Sequence, residues 1–324
     1  MSGWESPSPF SLRRDGVTYI AGHKGMVGSA LWRRFREAGF TNLVGLPSSE
    51  LDLTDRDAVF SFFTWVRPAV VVMAAAKVGG IRANDRYPAD FLSLNSQIQL
   101  NIMDAAVSVG TPRLLFLGSS CIYPKHAPQP IPESALLTGH LEPTNDAYAI
   151  AKIAGIVQVQ SVRRQHGLSW ISAMPTNLYG PGDNFSPEGS HVLPALIRRY
   201  DEAAREGQSG VTNWGSGTPR REFLHVDDLA DACLHLLGNY DAATHVNVGV
   251  GRDTAISQIA EIVAETVGFD GETRWDTAMP DGTPQKLLDV TLLRQSGWAP
   301  TIGLREGIAS TVEWYRHNRD RVRQ

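Results

Sequence analysis

The stretch from residue 17 to residue 28 restricts the fold more than any other. Val17-Thr18-Tyr19-Ile20-Ala21 is a short apolar run that reads as a buried strand. Gly22-His23-Lys24-Gly25-Met26-Val27-Gly28 follows without a gap. Val27, Leu31, Phe35 and Ala38 then recur on one face of a helix that stops at Gly39. A glycine turn between a strand and a helix lets backbone approach a pyrophosphate at the helix amino terminus. The same spacing also occurs in ordinary tight turns. Its place in the first strand–turn–helix unit of the chain points to a dinucleotide, with all seven residues of the turn as contacts.

The alternation continues downstream. Strands are expected at 43–46, 69–73, 114–118, 170–174 and 245–248, with helices at 55–67, 88–109, from Asn145 onward, and at 191–205. This rhythm predicts an α/β chain with a doubly wound parallel (Rossmann) sheet. A Gly/Pro-rich run from 179 to Gly189 breaks it, as a lid or the passage into a second unit does. The expected organisation is a flexible tail at 1–15, a dinucleotide-binding domain at 16–178 and 221–250, and a smaller, discontinuous α/β substrate domain at 179–220 and 251–324.

The end of the second strand normally selects the cofactor. An acid there binds the ribose 2′-hydroxyl of NAD, and a basic group accepts the 2′-phosphate of NADP. Pro47-Ser48-Ser49 supplies neither. With no acid present, and Lys24 placed to reach a 2′-phosphate, NADP is the expected cofactor. Asp52-Leu53 is expected beside the adenine, with a helix cap as the competing role for Asp52. In Ala74-Ala75-Ala76-Lys77-Val78-Gly79-Gly80, small residues permit close approach of a nicotinamide ribose and phosphate. A tight strand–helix corner would explain the alanines but not Lys77. Asn95 is a candidate for orienting the same end of the sheet.

Chemistry concentrates between Gly118 and Lys152. The strand at 114–118 ends in Ser119-Ser120-Cys121, at a carboxyl end where ligands sit in open α/β sheets. Tyr148 and Lys152 are four apart on a helix and share a face. A nearby ammonium favours phenolate and lowers a Tyr pKa from its usual ~10. Tyr148 is thereby expected to exchange a proton near neutral pH, with Ser119 bonding the same carbonyl oxygen. Cys121 is the odd member, because hydride chemistry on a ketone needs no thiol. His191 follows the segment that should cover the site, although a lone His is more often a capping or core residue. Trp214 is suited to stack on a purine and Arg221 to fork onto a phosphate. Their competing readings are core packing, and an ion pair with Glu222 or Asp227. Asp281 and Lys286 place a carboxylate and an ammonium in one late loop.

Composition narrows the setting. Net charge is −4 without any block of like charge, so nucleic acid and anionic membranes are not expected partners. No apolar run approaches the ~20 residues of a membrane span. Two cysteines, Cys121 and Cys233, provide no disulfide framework and suit a reducing cytoplasm. Only Lys24, Lys77, Lys125, Lys152 and Lys286 are lysines among 30 basic residues, so each is expected where a compact ammonium is needed. No metal is expected.

With these residues assembled, the chain resembles the extended short-chain dehydrogenase/reductases over nearly its whole length past the tail. The glycine turn, Ser119, Tyr148, Lys152, and Arg221 through Asp228 match that family's pattern. Within it the chain is similar to the bifunctional 3,5-epimerase/4-reductases of GDP-linked keto sugars. The specific marks are Gly22-His23-Lys24-Gly25-Met26-Val27-Gly28, Ala74-Ala75-Ala76-Lys77-Val78-Gly79-Gly80, Gly118-Ser119-Ser120-Cys121-Ile122-Tyr123-Pro124-Lys125 and Met174-Pro175-Thr176-Asn177-Leu178-Tyr179-Gly180-Pro181. The resemblance implies NADPH-dependent conversion of GDP-4-keto-6-deoxy-D-mannose to GDP-L-fucose, by a homodimer. It implies Ser119, Tyr148 and Lys152 as the reductase triad, and Cys121 and His191 as the epimerising acid/base pair. Leu117, Gly118, Pro175, Thr176, Asn177, Leu178 and His191 would join Ala75, Ala76 and Lys77 along the cofactor. Arg199, Trp214, Arg221 and Lys286 would touch the substrate, with Asp281 beside them. The chain departs from the pattern at Leu46-Pro47-Ser48, where relatives often place arginines for the 2′-phosphate.

Overall fold

The computed structural model describes residues 10–322 except Glu188 and Pro280. In chain order the elements are β1 (Thr18–Ala21), α1 (Met26–Glu37), β2 (Leu43–Val44), α2 (Arg56–Val66), β3 (Val70–Met73), α3 (Ile81–Arg86), α4 (Pro88–Ser108), β4 (Arg113–Leu117) and α5 (Asp146–His166). They continue with β5 (Ile171–Pro175), β6 (Asn177–Tyr179), α6 (Val192–Glu206), β7 (Gly210–Trp214), β8 (Arg220–His225), α7 (Val226–Asn239) and β9 (Val246–Val248). The last are β10 (Asp253–Ala255), α8 (Ile256–Val267), β11 (Glu272–Asp276), β12 (Gln285–Lys286), α9 (Thr291–Gln295) and α10 (Leu304–Asn318).

The main sheet is parallel, in the order β2-β1-β3-β4-β5-β9. Every residue of β1, β3, β4 and β5 is buried, as strands covered by helices on both faces must be. This is the expected doubly wound architecture. Its order reverses at β1, whose neighbours are β2 and β3, so the ligand crevice falls at the carboxyl ends of β1 and β3. β2 is shorter than expected. At the next residue, Gly45, a side chain would lie 2.5 Å from the His23 ring, so the ladder stops where the glycine turn crosses it.

Arg113 opens β4 and is fully buried. Its guanidinium donates to the carbonyls of Leu236, Leu237 and Tyr240 at the carboxyl end of α7 and to that of Ser169, tying β4 to that helix end. A second sheet is organised on β8, which pairs antiparallel with β10 and parallel with β12 and β6. β7 and β11 form a parallel pair of their own.

Two apolar clusters result. The larger lies on the main sheet, and the smaller joins Tyr179, Phe185, Phe223 and Phe269 to the inner faces of α6, α8 and α10. Leu288, Val290, Leu293 and Trp298, late in the chain, pack in the larger cluster. Of the expected tail, residues 1–9 lie outside the described residues. Phe10 donates its N–H to Gly238 at 2.9 Å and lies 4.8 Å from the Arg113 guanidinium, and Leu12 packs on the larger cluster. Residues 10–15 therefore belong to the folded body.

Candidate active site

The three glycines of the first turn have different neighbours. Gly22 has φ +82°, and a side chain on it would lie 2.8 Å from the Ala75 backbone. One on Gly28 would lie 2.1 Å from Gly22 O, so these two are glycine for close packing. Gly25 is exposed, caps α1 without a side chain, and a Cβ there meets Gly22 O at an ordinary 3.4 Å. The first turn of α1 has no acidic residue, which leaves its N–H groups and dipole available to an anion. These residues fit a dinucleotide pyrophosphate. Met26 and Val27 pack on the main core, and Lys24 is exposed beside them. The His23 ring lies 5.6 Å from Trp32, its Nδ1 is buried, and burial with Lys24 lowers its pKa.

Asp52 does not cap a helix. Its carboxylate accepts from the N–H and hydroxyl of Thr54, at 2.8 and 2.7 Å, and Asp55 caps α2 instead. Leu53 packs on the main core, and its carbonyl accepts from Asn101. Ala75 backs onto Gly22, and Ala76 is half-buried next to it. Asn95 grips the Lys77 backbone on both sides, accepting its N–H at 2.9 Å and donating to its carbonyl at 3.0 Å. The Lys77 ammonium pairs with Asp90 at 2.9 Å. On the far side of the crevice, Pro175 ends β5, Leu178 lies on β6, and Thr176 and Asn177 donate to the Glu222 carbonyl at 3.2 and 2.8 Å.

The catalytic candidates converge at the end of β4. Gly118 has no room for a side chain, which would lie 2.3 Å from Met174 Sδ. Ser119 Oγ accepts the Cys121 N–H at 3.4 Å. Lys152 is buried and donates to the Leu117 carbonyl at 2.9 Å, with its ammonium 5.7 Å from the Tyr148 ring centre. Burial lowers that ammonium to about 8, against the pull of Cys121. The expected lowering of the Tyr148 pKa is not found. Burial pushes its phenol up and Cys121 adds to the rise, while Lys152 directs one N–H to the Leu117 carbonyl. Tyr148 is therefore a proton donor at neutral pH, not a standing phenolate. Burial also raises the Cys121 thiol, opposed first by Lys286, then by Ser119 and Lys152.

His191 is the exposed N-cap residue of α6 and makes no capping bond. The segment before it closes on the 74–80 loop, with Ser190 O 3.3 Å from the side-chain position of Gly80. Desolvation lowers its pKa. His191, Tyr148 and Lys286 all keep open surface while desolvation dominates their titration, as side chains lining a cleft do.

β8 and β12 form the opposite wall. Lys286 stands in register beside Arg221, so both side chains leave the same face. Neither expected ion-pair partner of Arg221 is used: Asp227 pairs with Arg33 at 2.5 Å, and Glu222, next along the strand, points the other way. Asp281 is the acid that opposes the burial shift of Arg221. Its own carboxylate accepts from Ser216 N–H and Oγ, at 2.9 and 2.6 Å. That bond pins the turn after the exposed Trp214. Arg199 donates to Asn213 Oδ1 at 2.6 Å and so braces the same strand.

Sequence reasoning missed the buried polar groups behind these walls. Tyr123 donates to Asn247 Oδ1 at 2.5 Å and lies 2.9 Å from His245 Nε2, all three fully buried. Asn247 in turn donates to Ile131 and Asp289 carbonyls. Polar residues two apart on a strand, as His245 and Asn247 are, were the available signal.

Hydride exchange between a nicotinamide and a sugar carbonyl needs an anion cradle at a sheet's switch point and a hydroxyl–ammonium pair one strand away. That combination defines a dinucleotide-dependent short-chain dehydrogenase/reductase with an appended substrate unit. The chain belongs to the NAD dependent epimerase/dehydratase family, whose model matches residues 18–249. It is 58% identical over 300 residues to GDP-L-fucose synthase 1 of Arabidopsis thaliana, covering 93% of each chain. With GDP-L-fucose synthase of Escherichia coli (strain K12) it shares 52% identity over 314 residues, covering 94% of this chain and 98% of that one. A solved GDP-L-fucose synthetase from Naegleria fowleri bound to NADP superposes with TM-score 0.90 at 29% identity, covering 98% and 99% of the two chains.

Proposed function

We propose that this protein is an NADPH-dependent 3,5-epimerase and 4-reductase that converts GDP-4-keto-6-deoxy-D-mannose to GDP-L-fucose. The observation that carries the reading is a buried thiol, Cys121, next to Ser119, Tyr148 and Lys152 in an oxidoreductase cleft. Reduction alone gives such a thiol nothing to do. A 4-ketone acidifies the hydrogens on C3 and C5, and inverting both centres requires protons to leave and return on carbon. A neutral His191 is suited to accept such a proton and a protonated Cys121 to return one at the first centre, and the resulting thiolate and imidazolium serve the second centre in reversed roles, each group contributing about 10²–10⁴-fold. Tyr148 Oη and Ser119 Oγ hold the charge that develops at O4, as donors in an oxyanion hole do. Bound NADPH supplies the hydride to C4. Tyr148 Oη gives O4 its proton, and Lys152 holds the base of the site through the Leu117 carbonyl.

The α1 amino terminus and the glycine turn receive the NADP pyrophosphate, with Lys24 as the cation toward the 2′-phosphate. Arg221 and Lys286 take the diphosphate of GDP, and Trp214 its base. Exposed Leu92 and Leu100 on α4, with Ile150 and Val157 on the adjoining α5, support a homodimer through this face. Ile150→Glu combined with Leu100→Glu is then expected to give a monomer by sedimentation, and a monomeric wild type would end that reading. Both cysteines are free and buried, in keeping with a reducing cytoplasm.

The test is solvent-deuterium exchange at C3 and C5, run alongside NADPH oxidation. Cys121→Ser is expected to suppress exchange, and Tyr148→Phe to abolish oxidation while exchange persists at a reduced rate. Unimpaired exchange in Cys121→Ser would refute the assignment.

A further inference from the structure

Glu222 is fully buried on β8, between Arg221 and Phe223. Its carboxylate is met by backbone N–H groups. Oε1 accepts from Val250 and Gly251, both at 2.6 Å, and Oε2 accepts from Leu288 at 3.0 Å. Its own main-chain carbonyl receives Thr176 Oγ1 and Asn177 Nδ2. A Cβ on Gly249 would lie 2.3 Å from Oε1, so a glycine stands where the carboxylate must pass. Burial raises the Glu222 pKa, and the N–H bonds oppose that rise.

These bonds add to the short ladders that pair β8 with β12 and with β6, and they tie both to the segment after β9, which no ladder joins to β12. Leu288 lies two residues after Lys286, whose strand is paired in register with Arg221. Thr176 and Asn177 form the turn at the end of β5, on the cofactor side. Val250 and Gly251 follow β9, the strand next to β5. We propose that Glu222 is a positioning residue that sets β12, and with it Lys286 beside Arg221, at a fixed distance from the cofactor turn at 175–178. The inference rests on the reading above of Arg221 and Lys286 as nucleotide-sugar contacts.

The geometry makes the amide a selective perturbation. In Glu222→Gln the amide oxygen takes the place of Oε1 and keeps two N–H donors. The amide NH₂ then faces the Leu288 N–H, donor against donor. The reverse orientation loses two bonds in place of one. The link to β12 is therefore the one that breaks, while those to residues 250 and 251 remain.

The experiment is steady-state kinetics on the full chain, with sugar nucleotide and NADPH varied independently. Glu222→Gln is expected to raise KM for the sugar nucleotide about tenfold, with KM for NADPH changed less than about twofold. If Glu222 acts through Lys286, Glu222→Gln adds little to that KM in a Lys286→Ala background. Unchanged KM values, both rising together, or full additivity with Lys286→Ala would each overturn the proposal. Should Glu222→Gln not accumulate as folded protein, Glu222→Asp, which withdraws the carboxylate by one methylene, is read by the same split. Wild-type turnover is measured first. Its absence would refute the functional reading instead, and the split is then read as dissociation constants for GDP and NADPH by calorimetry.

Discussion

Gly25→Ala and Gly28→Ala separate space kept for protein packing from space kept for a ligand. A Cβ on Gly28 would lie 2.1 Å from Gly22 O, 2.6 Å from Gly22 C and 2.7 Å from His23 Cα. Ordinary contact begins at 3.4 Å, so about 1.3 Å (3.4 − 2.1) must be found. Gly22 has no room to retreat, because its own side-chain direction already points at the Ala75 backbone, 2.8 Å away. Overpacking of this kind costs about 1–3 kcal/mol. In a chain of this size that lowers Tm by about 1–5 °C. A Cβ on Gly25 meets Gly22 O at 3.4 Å with φ at −74°, so alanine fits the ligand-free protein. Its expected cost is that of alanine at an N-cap, at most about 1 kcal/mol. The methyl nevertheless stands where backbone must approach a pyrophosphate, and NADPH binding is expected to weaken about tenfold or more. Thermal unfolding without ligand and fluorescence titration with NADPH read the two effects. Wild-type NADPH affinity in Gly25→Ala would remove the cradle assignment, and equal loss of Tm in both variants would remove the packing argument.

Two further outcomes follow from buried titrating groups. Lys152 is charged below about 8, so kcat/KM for reduction is expected to fall as pH rises through about 8. In Lys152→Arg, which stays charged, that limb should disappear, and an identical limb would place its origin elsewhere. His245 is held to about 4 against an ordinary 6.5, so the unfolded chain binds its proton first as pH falls. The stability this contributes is complete above pH 6.5 and is lost on descending through about 4, amounting to about 3 kcal/mol. Urea midpoints measured across that window should slope less in His245→Gln, and an unchanged slope would contradict the assignment.

The strands of the main sheet were legible because a strand buried on both faces is an apolar run, and β1, β3, β4 and β5 are such runs. Arg113 at the start of β4 was not, since the carbonyls that satisfy it come from α7 and from Ser169, far along the chain. Spacing placed Tyr148 and Lys152 on one helix face, and that held. It carried no information about depth of burial or about the Leu117 carbonyl accepting a hydrogen bond from the ammonium, so the direction of the Tyr148 shift was missed. The same limit applies to Asp52, where a turn with Thr54 and a cap three residues later look alike in sequence. Glu222 was weighed as a partner for Arg221. Strand alternation already argued against it, because neighbours on a strand leave opposite faces.

One cause, burial, arranges the chemistry of this cleft. It raises the acids, so Tyr148 and Cys121 keep their protons, and it lowers His191, which stays neutral. Proton donors and an acceptor thus coexist at one pH, and in the proposed reaction a second inversion with Cys121 and His191 in reversed roles returns both to their starting protonation before reduction. The same burial lowers both Arg221 and Lys286, two cations side by side on neighbouring strands, and the Arg221 charge lowers Lys286 further. Like charges so placed repel, and the nearby Asp281 is already committed to Ser216. The pair becomes favourable when an anion bridges it, which is the service the proposed GDP diphosphate would perform. Under the proposed function, binding energy from the nucleotide, remote from the sugar's reacting carbons, would thereby be used to hold the ketone between Cys121 and Tyr148. A wall that recognises only the nucleotide can then contribute to chemistry on the sugar, provided β12 is held in place.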